Sequence, residues 1–117
     1  MITQFLSKGS LSITENVFAV ITSICINDIE EIDGTVYDVK EQLYLFLNNG
    51  QRQKGILIKN EKNDIIIDIH VCVKYGVNIA QVCKKLQALV VTEIEALTGI
   101  RPTAINVMVD EIQVKNA

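Results

Sequence analysis

The only histidine, His70, stands two residues after Asp68 and two before Cys72. A carboxylate, an imidazole and a thiol are the parts of an activated cysteine nucleophile. Their spacing in an alternating segment puts all three on one side of a β-strand. That placement works against the chemistry. Same-face neighbours on a strand stand roughly parallel and about 7 Å apart, whereas a nucleophile and its base must converge. The expected state is an exposed or half-buried histidine. A metal centre has no better support, with one His and neither a Cys pair nor a carboxylate cluster. No catalytic, cofactor-binding or metal residue is assigned, and no cofactor is expected.

The other chemistry-bearing types are equally plain. Cys25, Cys72 and Cys83 are odd in number, show no CxxC spacing and lie in apolar segments. They read as reduced, buried thiols of a cytosolic protein. Glu30-Glu31, Glu93/Glu95 and Asp110-Glu111 are paired acids of solvated faces, and two residues apart on a helix do not face each other. No GxGxxG, Walker A or GxSxG pattern occurs, so no small-molecule substrate is indicated. The loop over residues 50–55 has glycines at both ends, but no helix follows it to receive a phosphate.

Fourteen acids against eleven bases give a net charge of -3 over 117 residues. A nucleic-acid partner is not expected from that balance, because such affinity comes mainly from neutralising phosphates. Residues 41–63 carry the one basic excess, four bases against two acids: Arg52, Lys54, Lys59 and Lys62. They read first as a solvated loop and edge strand; an anion- or nucleic-acid-binding module is the weaker alternative. With six aromatics in the chain, and Tyr75 alone on the long strand, an RNA-stacking sheet is unsupported.

These residues need elements to hold them. Residues 11–14 form a short opening strand, with residues 1–9 as an N-terminal extension. Thr14 and Glu15 open a helix that stops near Glu31, before the Asp33-Gly34 turn. Residues 35–39 are a strand or an extended link, and 40–47 a short helix. Residues 55–59 and 64–75 are strands joined by a four-residue hairpin loop, 60–63. On the second strand Ile65, Ile67, Ile69, Val71, Val73 and Tyr75 face the core. Gly76 breaks it, with a positive φ expected there. Asn78 caps a helix over 78–98 whose stripe is Ile79, Val82, Leu86, Val90, Ile94 and Leu97, and Gly99 ends it. The last strand, 104–114, slips phase at Asp110-Glu111, which suggests a β-bulge.

The result is one α+β domain: a single small mixed sheet with two main helices packed on one face, in the order β-α-β-β-α-β. The far face of that sheet carries Ile66, Asp68, His70, Cys72 and Lys74. Mixed surfaces of this kind occur at reversible protein contacts, and this one is the candidate self-association face of a homo-oligomer. No apolar run exceeds five residues, so no segment spans a bilayer; Met1 to Ser10 lacks the features of a secretory signal.

The succession Leu11-Ser12-Ile13-Thr14-Glu15, Glu31-Ile32-Asp33-Gly34, Gly55-Ile56-Leu57-Ile58, Val73-Lys74-Tyr75-Gly76, Ile79, Val82, Gln87, Val90, Thr98-Gly99 and Ile105-Asn106-Val107-Met108-Val109 resembles the alkaline shock protein family of Gram-positive bacteria, also called the envelope stress response family. The match covers about residues 10–114. The resemblance implies a cytoplasmic, non-enzymatic, self-associating protein linked to envelope or alkaline stress. In some members a membrane-anchored partner of the same family brings it to the inner face of the membrane; others are linked to fatty-acid synthesis. It carries over no catalytic residue, because the shared pattern consists of turns and core positions.

Overall fold

The computed structural model describes residues 1–33 and 55–114. Its elements are β1 (Ile2–Leu6), β2 (Gly9–Ile13), α1 (Glu15–Asp28), β3 (Ile56–Glu61), β4 (Asp64–Lys74), α2 (Ile79–Thr98) and β5 (Ala104–Gln113). Strands β3, β4 and β5 form a mixed sheet in that spatial order, antiparallel between β3 and β4 and parallel between β4 and β5. Helix α2 makes the crossover that a parallel pair requires.

The α+β class, the mixed sheet and its two helices agree with the sequence reading. The sheet is not single, however. Residues 2–6, expected as part of an extension, form β1, which pairs with β2 as a separate two-stranded antiparallel sheet. Among the described residues the element order is therefore β-β-α-β-β-α-β. The expected strand at 35–39 and helix at 40–47 lie outside the described residues.

Strand β4 is the organiser. Ile65, Ile67, Ile69, Val71 and Val73 are each buried, while every second residue between them is only partly covered. That alternation is the pleat made visible. Helix α1 stops at Asp28, earlier than Glu31, for a packing reason. Among the described residues strand β3 pairs with β4 as far as Ile69, and the same edge of β4 continues beyond it. The chain after α1 fills that edge: Ile32 bridges Val73, Asp33 N donates to Cys72 O at 2.7 Å, and Lys74 N donates to Glu31 O at 3.0 Å. A helix continued to Glu31 could not reach those groups. Ile29 and Ile32 join the core on the way.

The hairpin between β3 and β4 has two loop residues, not four. Lys62 (φ 47°) and Asn63 (φ 75°) both take left-handed conformations, as the tight primed hairpin turn requires. Asn tolerates that region, and the flanking Asn60 and Glu61 are free to pair. At the other end of β4, Tyr75 is 75% exposed rather than buried, because the chain turns before it can continue the strand. Gly76 makes the turn with φ 96°. Open space surrounds the position a Cβ would take there, so a side chain would strain only the backbone. Gly76→Val should cost more than about 1 kcal/mol in a urea melt; an unchanged melt would contradict the assigned turn.

Asn78 Oδ1 accepts from Gln81 N at 3.1 Å and starts α2. Gly99 (φ 77°) closes it, donating its N–H to Glu95 O at 2.9 Å. The buried row is Val82, Leu86, Val90, Ile94 and Thr98, a strict step of four. Ile79 and Leu97, expected in that stripe, are 38% and 66% exposed. A step of three from Ile94 rotates Leu97 out toward solvent, and Thr98 takes the core position with its hydroxyl donating to Ile94 O at 2.7 Å. Both helices share one core with the sheet.

Candidate functional site

The helices cover one face of the β3-β4-β5 sheet. The register assembles the other. On β4 the face shows Ile66, Asp68, His70, Cys72 and Lys74, as expected; the first four are partly covered and Lys74 is exposed. Antiparallel pairing brings Lys59 opposite Ile66 and Leu57 opposite Asp68. Parallel pairing brings Ala104, Asn106 and Met108 opposite Ile66, Asp68 and His70.

Two polar arrangements fix this surface. Lys59 Nζ lies 2.9 Å from Asp68 Oδ2, and Asn106 Nδ2 donates to Asp68 Oδ1 at 2.9 Å. Both oxygens of Asp68 are thereby occupied in a row that crosses all three strands. The hydrogen bond from Lys59, then that from Asn106, hold the Asp68 carboxyl below its ordinary range. The same pairing raises Lys59.

The second arrangement comes from the bulge. Val71 pairs with Val109, but Cys72 pairs with Glu111, so Asp110 is the extra residue. Freed from the ladder, Asp110 places Oδ2 2.7 Å from His70 Nδ1, with the two side chains 48% and 44% exposed. The histidine is therefore engaged by an acid of another strand. Cys72 is driven the wrong way for a nucleophile. Burial first, then the charges of Asp33 and Glu111, push its thiol up, which disfavours thiolate. Burial likewise raises Cys83 and, with Glu93 and Asp28, takes Cys25 to about 11. The row Asp68, His70, Cys72 is real as geometry, and the hydrogen bonds of Asp68 and His70 go to other strands rather than along the row.

Of the four basic residues, Lys59 and Lys62 lie among the described ones. Lys59 is tied to Asp68, and Lys62 sits exposed at the hairpin turn. Arg52 and Lys54 lie outside the described residues. A cleft of about 320 Å³ near the start of α2 brings Glu31 and Lys85 within 3.6 Å, as partners of each other. Among the described residues no group of three His, Cys, Asp or Glu side chains is placed to hold a metal.

Sequence reasoning finds the β4 side of the face and misses Lys59 as its partner, and also Asn106 and Met108. Their places depend on register between distant strands, which local alternation does not contain. The phase slip at Asp110-Glu111 is the one local signal for the Asp110 contact.

Comparison with known proteins covers the same elements. The profile of the alkaline shock protein 23 family, described as having a cell envelope-related function, matches residues 4–114. The chain is 25% identical over 108 residues to Spy1614, an uncharacterized protein of Streptococcus pyogenes, covering 91% of this chain and 89% of that one. It is 24% identical over 110 residues to YloU, an uncharacterized protein of Bacillus subtilis, covering 92% of each. No solved structure matches. No helix among the described residues is long and apolar enough to cross a membrane. With the family profile spanning strand, helix, hairpin and crossover alike, the chain belongs to the alkaline shock protein 23 family, whose function is related to the cell envelope.

Proposed function

We propose that this protein is a non-enzymatic scaffold of the envelope stress response, which self-associates in the cytoplasm through the outer face of the β3-β4-β5 sheet. The observation that carries the reading is the composition of that face. Ile66, Leu57 and Met108 surround a pre-ordered polar row, Lys59–Asp68–Asn106, on a surface neither helix covers. Apolar groups with fixed, already satisfied polar neighbours suit a reversible contact, since little side-chain freedom is lost on docking. The family's envelope role supports an interaction function, and recruitment to the inner membrane face by an anchored partner of the same family fits it. The engaged histidine and the raised thiol favour a contact surface over a catalytic one.

Sedimentation at about 100 µM should show a species larger than a monomer, since weak reversible interfaces have dissociation constants in or below that range. Ile66→Lys should shift it toward monomer without changing the thermal melt, because Ile66 is only partly buried. A strict monomer for the unaltered chain would overturn the self-association reading.

A further inference from the structure

The β1–β2 hairpin is tied to the body at its root. Ile2 is buried, the Met1 amino group lies 3.0 Å from Glu15 Oε2, and Asn60 Nδ2 donates to Met1 O at 3.0 Å. Gln4 Oε1 comes within 3.7 Å of the place a Cβ on Gly99 would take. Beyond Gln4 the arm exposes three large apolar side chains: Phe5 is 86% exposed, Leu6 53% and Leu11 37%. The register makes the arrangement unusual. Gln4 opposes Leu11 and Leu6 opposes Gly9, so Leu6 and Leu11 leave one face, whereas Phe5, opposite Ser10, leaves the other.

We infer that the end of this arm inserts into the headgroup region of an anionic lipid surface. A flat protein partner covers one face of a hairpin and would leave either Phe5 or the two leucines in water. A medium that surrounds the tip covers both. Charge points the same way. Lys8, in the two-residue turn, is the one charged side chain between Met1 and Glu15, and no acid lies in that span. A lysine at the tip keeps its ammonium among lipid phosphates while its stem and the neighbouring apolar groups enter the boundary. The contact goes beyond the sheet-face scaffold and does not depend on it.

The full chain should co-sediment with phosphatidylglycerol vesicles. Phe5→Ser should lower the partition coefficient at least about tenfold, the loss expected for one large apolar group no longer buried. Its melt should be unchanged, because Phe5 is outside the core. Lys8→Glu should weaken binding to phosphatidylglycerol and leave the weaker binding to phosphatidylcholine unaltered. An unaltered chain that stays in the supernatant, or Phe5→Ser binding as well as the parent, would overturn the inference. So would Phe5→Ser dissociating an oligomer in the absence of vesicles, which would make the arm a contact with a second copy. The sheet-face contact is read by sedimentation without lipid, so the two readings fail separately.

Discussion

Ile69→Asp is expected to destabilise the folded state by several kcal/mol, while Asp68→Ile, one residue away, leaves it nearly unchanged. Ile69 is fully buried, paired with Ile56 on one side and Val107 on the other. A carboxylate there has no partner within an aliphatic layer. The combined loss of apolar burial and gain of an unpaired buried charge is several kcal/mol, roughly 4 or more, against a typical total of about 5–15. Asp68 faces the other way. Replacing it gives up the contacts with Lys59 and Asn106, which stay exposed to water without it, a loss of no more than about 1 kcal/mol, and supplies a β-branched residue to a strand. Urea melts check the pair; similar midpoints would reverse the two faces of β4.

A second large effect is expected in α2. Leu86 is fully buried in the row from Val82 to Thr98, where the helix meets the sheet and α1. Leu86→Ala should cost about 2–5 kcal/mol, the transfer loss plus a cavity between rigid elements. Leu97→Ala, on the same helix and 66% exposed, should change stability by no more than about 0.5 kcal/mol. Equal effects on the midpoint of a denaturant melt would mean that the helix docks by a different stripe.

What can be read from the sequence follows the range of the physics involved. The core face of β4, the Asn78 cap, the Gly76 and Gly99 turns and the bulge near Asp110 each depend on residues a few positions apart. Strand β1 escapes such reading because its apolar residues do not share one face: Ile2 and Leu6 point one way and Phe5 the other. The alternation that reveals a half-buried strand is missing for the same reason that the arm's end stays uncovered. Helix α1 ends before its local stop signal because a distant edge of β4 claims the residues that follow it. Tyr75 keeps the phase of the core residues and its N–H still donates to Gln113 O at 3.0 Å, yet the turn at Gly76 frees its ring. Half of the candidate face is therefore legible. The other half, Lys59, Asn106 and Asp110, becomes visible only once three strands have a register.

The outer sheet face carries a reporter of its own. Cys72 lies on that face and is partly covered, Cys83 is comparably covered on α2, and Cys25 is buried. Burial raises both Cys72 and Cys83, so each thiol is compared with its own labelling rate at low concentration. The rate of maleimide labelling at each thiol, measured by peptide mass spectrometry across a dilution series, tests the face most directly. The account predicts that Cys72 labels more slowly as concentration rises, that Cys83 keeps a constant rate, and that Ile66→Lys removes the concentration dependence. Slowing at Cys83 with a constant rate at Cys72 would contradict it and move the contact to the helical side.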